Sequence, residues 1–174
     1  MGQKRRVTVR DGVAHVPLTK GYVALVDEAD YPKVTGKSWS ARVCLKADGS
    51  LRTVYAFRTQ WIDGRRRNVG LHHVVAGVPP GTLLDHADGD GLNNRRGNVR
   101  AATPSQNAQN CARSVRNTSG VKGVYWSMGA GKWHARIKVS GRDHSLGLFR
   151  CITAAAVAYA KASRDMHREF GRLA

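Results

Sequence analysis

Three of the chain's twelve carboxylates, Asp85, Asp88 and Asp90, fall within six residues. In a protein of 174 residues with a formal net charge of +17, such a cluster calls for a reason, because acids held beside a polyanion cost repulsion. A hard divalent cation is one reason, since magnesium takes oxygen ligands. A turn is the other: Asp88 and Asp90 are each followed by glycine, and Asp-Gly pairs form hairpin turns without a ligand. Asp85 is not explained that way. It ends the run Leu83-Leu84-Asp85 and directly precedes His86, a side chain whose ordinary pKa lies near neutrality. Two familiar loops fail on spacing. Counted from Asp88, the sixth and twelfth positions hold Asn93 and Val99, where an EF-hand needs glycine and glutamate. Gly131-Lys132 is followed by Trp133, which excludes a phosphate-binding P-loop.

The elements that must position these residues are short. Residues 1–15 read as a basic, loose start. From Val16 to about Leu71 the pattern is strand-like, with Tyr22–Val26, Arg42–Leu45 and Val54–Phe57 as strands and Lys46–Gly49 as a turn. Asp63–Asn68 reads as a basic loop, and Leu71–Gly77 as one or two helical turns. Leu83–Ala87 and Asn98–Ala101 read as two strands joined by the Asp88–Gly91 turn. A helix follows: Thr103 can cap it, Pro104 takes its first position and Gln106 completes a capping box. Residues 113–120 read as a polar linker. Val121–Phe149 gives three strands, and 152–170 a helix whose inner face carries Ala155, Ala156, Tyr159, Ser163, Met166 and Phe170. The domains expected are therefore 1–70, a β-rich region belonging with the next; 71–112, holding the acid cluster; the linker 113–120; and 121–174.

The charge names a class of partner. A compact, strongly basic domain ordinarily meets nucleic acid. No window supplies the apolar length of a membrane span, and Met-Gly-Gln-Lys-Arg-Arg is not followed by the apolar run of a signal peptide. The expectation is a cytoplasmic protein of a bacterial or phage-infected cell, binding double-stranded DNA and no membrane. Cys44, Cys111 and Cys151 are odd in number and lack CxxC spacing, so they read as small core residues rather than a disulfide framework or zinc site.

Leu71-His72-His73-Val74-Val75, Leu84-Asp85-His86-Ala87-Asp88-Gly89, Asn93-Asn94-Arg95, Asn98-Val99-Arg100 and Thr103-Pro104-Ser105-Gln106-Asn107 resemble, in order and spacing, the HNH endonucleases of phage and intron homing elements. Leu18–Gly21 and Ala24–Asp27 resemble the N-terminal part of such proteins. The resemblance implies a ββα-metal core in which Asp85 is the first metal ligand and His86 the general base. Asn98 would pin the hairpin loop and help orient the histidine, and Asn107 would be the second ligand, on the helix. The family's final histidine is here an asparagine, a variant shared by many homing members. One Mg2+ or Mn2+ per site is implied, with products ending in 3′-hydroxyl and 5′-phosphate. His72, Arg95 and Arg100 are candidates to border the site; the other reading makes His72 a structural histidine packed against the hairpin and either arginine a solvated charge. Neighbours on a regular strand point to opposite faces, so Asp85 and His86 predict an irregular strand end.

Residues 113–150 hold eight Lys/Arg and one acid. Along Trp133–Val139, Ala135, Ile137 and Val139 share one face while His134, Arg136 and Lys138 share the other. One face can cover the C-terminal helix and the other can meet DNA. Ser119–Trp126, Gly131–Ile137, Leu146–Phe149 and Ala154–Tyr159 resemble the Apetala-type DNA-binding domain of plant ethylene-response factors, three antiparallel strands on one helix. The resemblance makes Lys122, Tyr125, Trp126, Trp133, His134, Arg136, Lys138 and Arg142 the expected DNA contacts, although parity places Trp133 with the inner residues. Homing-type HNH proteins often carry such a module.

The expected fold is α+β: a β-rich N-terminal region leading into a ββα-metal core, then a small three-stranded antiparallel sheet on one helix. The expected function is sequence-directed DNA cleavage, by a monomer that nicks or a homodimer that cuts both strands. The alternative is a DNA-binding regulator with an inactive HNH site.

Overall fold

The computed structural model describes residues 6–114 and 116–173. The fold is mixed α and β, built of small antiparallel sheets, and it divides into two compact units, Met1–Ala101 and Ala102–Ala174. The first five residues of the expected loose start, Val115 of the expected linker and Ala174 lie outside the described residues.

The first unit opens with a meander of β1 (Thr8–Arg10), β2 (Val13–Pro17) and β3 (Val23–Asp27). Residues expected to be loose therefore form a hairpin. The reason lies in β2, where alternation buries Ala14 and Val16 against Ala24 and Val26 of β3. A short helix, α1 (Tyr31–Val34), leads to the second sheet, β4 (Ser40–Leu45), β5 (Leu51–Ile62) and β6 (Arg65–Gly70), in that order. The core gathers Leu18, Val34, Trp39, Val54, Ala56, Leu71 and Val75. Trp39 is fully inside, and its indole N–H donates to Val34 O at 3.0 Å.

The basic segment 63–68 is mostly strand rather than loop. Asp63 (φ 50) and Gly64 (φ 70) form a two-residue turn with both residues left-handed. That turn matches the natural twist of a hairpin, so pairing continues to Ile62↔Arg65. Then come α2 (Leu71–Ala76) and the two-stranded sheet of β7 (Leu84–His86) and β8 (Val99–Ala101).

The second unit begins with α3 (Pro104–Gln109). Its capping box is complete: Gln106 N–H donates to Thr103 Oγ1 at 3.2 Å, and Thr103 N–H to Gln106 Oε1 at 2.7 Å. The division between units falls before α3, not in the 113–120 segment. Lys122 explains why, since its ammonium donates to Gln109 O (2.7 Å) and Cys111 O (2.6 Å) at the helix C-terminus. Strands β9 (Val124–Ser127), β10 (Lys132–Val139) and β11 (Arg142–Phe149) form a sheet in the order β11-β10-β9, and α4 (Ile152–Ala162) packs on it. The approach is close enough to require Gly123 (φ 72), where an added Cβ would meet the Tyr159 ring at 2.1 Å.

Beyond α4 the helix widens over Ser163–His167, breaks at Arg168 (φ 51) and ends in a tight turn over Arg168–Phe170. A π-type turn holds an extra residue. The inner face therefore passes from Ser163 to His167, leaving Met166 exposed, before returning to Phe170. Cys111 and Cys151 are exposed and Cys44 is half-buried, against the expectation of core cysteines.

Candidate active site and nucleic-acid interface

The hairpin β7–β8 carries the candidate site. Its pairing, Leu84↔Ala101, Asp85↔Arg100 and His86↔Val99, runs in step, without the irregularity expected at the strand end. Both neighbours are buried, Asp85 at 5% exposure and His86 at 6%, and the regular pairing turns their side chains to opposite faces of the little sheet. Asp85 Oδ2 receives Arg100 Nη2 at 2.8 Å and Nε at 3.1 Å. The His86 ring lies against Tyr55 of β5 (centroids 5.8 Å) and His72 of α2 (5.3 Å).

The connecting loop is held by its own polar side chains. Asn98 Nδ2 donates to Asp88 Oδ1 (2.9 Å) and Asn93 O (2.7 Å), while its Oδ1 accepts from Asp88 N–H (3.0 Å). Asp88 also accepts from Asp90 N–H and from Asn93 Nδ2, and Asp90 accepts from Leu92 N–H. Desolvation pushes the Asp88 pKa up, but these hydrogen bonds outweigh it and hold the carboxyl below its ordinary value. Asp88 and Asp90 are thus turn-building acids. Asn98 braces the loop, as a pinning residue should, but its side chain bonds to the loop rather than to the histidine. The residue that meets the ring is Asn94, fully buried, whose Oδ1 lies 3.4 Å from His86 Nε2. Asn94 Nδ2 donates to Leu92 O at 2.9 Å.

The loop is anchored to the first sheet across a long stretch of sequence. Leu25 N–H donates to Leu92 O and Asn94 N–H to Leu25 O, both at 2.8 Å, extending β3 by one parallel bridge. Arg96 grips the fully buried Asp30 with Nε and Nη2, each at 2.8 Å, and Lys33 adds a contact at 2.9 Å. The Arg96 hydrogen bonds hold the Asp30 carboxyl below its ordinary pKa against the opposing effect of burial. Gly91 fits because its missing Cβ would lie 2.5 Å from Val54 O and 2.6 Å from the Tyr55 ring.

Among the residues expected to border the site, Arg95 is turned to Asp27 at 3.0 Å and Arg100 to Asp85. Neither is held ready for a phosphate, because each meets a carboxylate brought to it by another strand. His72 does border His86. Gly70 makes room for it, since an added Cβ would stand 2.6 Å from its ring. Burial, with the neighbouring His73 and His86, pushes its pKa down to about 3, and its Nδ1 is buried without a hydrogen-bond partner. Burial likewise pushes the His86 pKa below 6.5, opposed by Asn94 and the nearby Asp88, Asp85 and Asp90. Asn107 belongs to α3 in the second unit. Among the described residues, no three His, Cys, Asp or Glu side chains gather to hold a metal.

In the second unit, Tyr125, His134, Arg136 and Lys138 share the outer sheet face. Tyr125 Oη lies 2.6 Å from His134 Nδ1, His134 Nε2 lies 2.8 Å from Ser145 Oγ, and the Arg136 guanidinium stands 5.3 Å from the centre of the Tyr125 ring. Two expected contacts are placed otherwise. Trp133 packs against the core beside Trp126, as its parity requires. Lys122 is engaged with the end of α3, and burial pushes its pKa down. Trp126 is exposed on the Trp133 side, and Arg142 is exposed at the strand end opposite Val139.

Protein 3.8 of Escherichia phage T7 is 31% identical to the chain over 114 residues, covering 65% of the chain and 93% of that relative. The chain belongs to the Protein 3.8 family. That name states no activity. No protein-family model matches the chain, and no solved structure matches it. No helix of this Protein 3.8 relative is, among its described residues, long and apolar enough to cross a membrane.

Reading residue types alone missed Asn94, Tyr55 and the Asp27/Asp30 anchors. Asn94 could have been suspected from its place in Asn93-Asn94-Arg95, but nothing local pairs it with His86. Asn94→Ala is expected to cost about 1–3 kcal/mol, because it deletes a fully buried amide that donates to Leu92 O and meets His86 Nε2. Urea denaturation at neutral pH measures this. A change near zero would remove Asn94 from the account of how His86 is held.

Proposed function

We propose that this protein is a sequence-directed DNA endonuclease of the HNH homing type. The observation that supports the reading is the β7–β8 hairpin, which carries Asp85 and His86 as successive strand residues and whose loop is braced through Asn98. His86, kept neutral near pH 7 by burial, takes a proton from water attacking the phosphodiester. The P–O3′ bond breaks, the leaving oxygen takes a proton from solvent water to become a 3′-hydroxyl, and the phosphate stays on the 5′ end.

Asp85 suits a hard cation. It supplies the carboxylate oxygen that such an ion takes, and the ion would have to share or displace its partner Arg100. Asp85 would be the carboxylate ligand of a Mg2+ or Mn2+ ion, and Asn107 is the amide that the family resemblance pairs with it. Such an ion supplies charge neutralisation at the phosphate. The outer face of the second unit, with Tyr125, His134, Arg136 and Lys138, would hold the duplex.

A second reading has its own support. Asp85 is engaged by Arg100 and His86 is 6% exposed, as in a DNA-binding regulator whose HNH hairpin is silent. Supercoiled plasmid incubated with Mg2+ or Mn2+, with and without chelator, separates the two. The endonuclease gives metal-dependent nicks whose ends a ligase reseals, as 3′-hydroxyl and 5′-phosphate require. Tight binding without nicking under either metal selects the regulator.

A further inference from the structure

Beyond Tyr55, whose ring packs against His86 and the Gly91 turn, the outer face of the β5–β6 ribbon runs out to exposed side chains. On β5, Val54 and Ala56 point into the core, and Val69 of β6, opposite Arg58, is buried. The opposite parity places Tyr55, Phe57, Thr59 and Trp61 on the outer face. Cross-strand pairing adds Arg66 opposite Trp61 and Asn68 opposite Thr59, with Thr59 Oγ1 donating to Asn68 Oδ1 at 2.9 Å. From β4, Arg42 stands opposite Tyr55, its guanidinium 5.0 Å from the centre of the Phe57 ring. The inner end of this row is Tyr55, whose ring lies against His86. The outer end is Trp61, 72% exposed.

An indole so exposed gives nothing to folding, and buried residues stop at Val69 while pairing runs on to the turn. Arg65, Arg66 and Arg67 are all exposed around it, against the one acid Asp63 at the tip. A projecting two-stranded ribbon of this kind, cationic with an aromatic at its end, fits a groove and backbone of a polyanion. Tyr55 and Trp61 are six residues apart, or about 20 Å along a strand. At the rise of duplex DNA this is about six base-pair steps.

We propose that the outer face of the β5–β6 ribbon is a duplex-DNA track that starts at His86 and ends in a Trp61–Arg66 grip about six base pairs from the cut. Its starting point rests on the endonuclease reading; the grip itself does not. The indole contacts the base or sugar surface and the guanidinium a phosphate.

The full chain, carrying Trp61→Ala with Arg66→Ala, is compared with the native protein on linear duplexes of mixed sequence, by fluorescence anisotropy across a salt series. Binding is expected to weaken about tenfold and the salt slope to fall by about one. Where cleavage occurs, hydroxyl-radical protection on one side of the cut is expected to shorten. Both side chains are exposed, so the urea midpoint serves as the folding control; Arg66→Lys should restore the salt slope without the double variant's loss. Unchanged affinity and slope overturn the track, whether or not plasmid is nicked. So does an acidic polypeptide that binds the ribbon in preference to duplex. A tenfold binding loss in a protein that never nicks keeps the grip and removes only its origin at a scissile phosphate.

Discussion

His86→Ala is expected to lower the single-turnover rate of phosphodiester cleavage by about 10²–10⁴-fold, the range supplied by one positioned general base. Duplex binding should stay within about twofold, since affinity rests on the exposed basic side chains rather than on a neutral ring. The pH profile tests the assignment independently. Burial pushes the His86 pKa below 6.5, so the basic form already dominates at neutrality. The rate should therefore be flat through pH 7 and fall only on the acid side, with its inflection below the free-histidine value. An inflection above 6.5 would assign the proton transfer to another group. Equal losses of binding and rate in His86→Ala would make the ring a packing element, and the regulator reading would then stand.

Folding stability should drop by about 1.4 kcal/mol per pH unit below pH 6.5 on account of His72 alone. The sign follows from the two states. Unfolded, the ring has its ordinary value of 6.5; folded, burial beside His73 and His86 holds it near 3. Above 6.5 both states are neutral and the contribution is complete. Between 6.5 and about 3 the unfolded chain binds a proton that the folded chain refuses, so stability is lost as pH falls. His86, shifted in the same direction, adds to the slope. The depressed carboxyls of Asp27, Asp30 and Asp88 act later, below the ordinary aspartate value. Urea midpoints between pH 7 and 4.5 isolate the histidine window. His72→Phe, or His72→Asn if the larger ring crowds Gly70, should be most stabilised relative to the native protein at the acid end. Parallel curves for variant and native protein would mean that His72 protonates freely in the folded state.

The capping box at Thr103–Gln106, the tight turn at Asp88–Gly91 and the alternation along β10 were all legible in advance, and each is an affair of neighbours. A hydroxyl and an amide three residues apart close a helix start wherever the helix goes, and alternation commits one face of a strand to a core before the core is known. Asp85 could be picked out as the acid that the turn leaves unexplained, while His86 and Asn98 were marked by the resemblance to HNH endonucleases. Their surroundings could not. Arg95 and Arg96 meet carboxylates 68 and 66 residues away, and Lys122 meets carbonyls on α3 that only a folded second unit brings near. An arginine in a basic chain looks the same in sequence whether it awaits a phosphate or closes a buried ion pair. That choice belongs to tertiary structure, because Coulomb energy and desolvation depend on distance and burial, and neither follows from order along the chain. So local sequence determined the hairpin, the helix start and the candidate acid and base. Packing across the chain decided that Asn94 meets the histidine, that His72 is kept neutral, and which cations stay exposed along the ribbon.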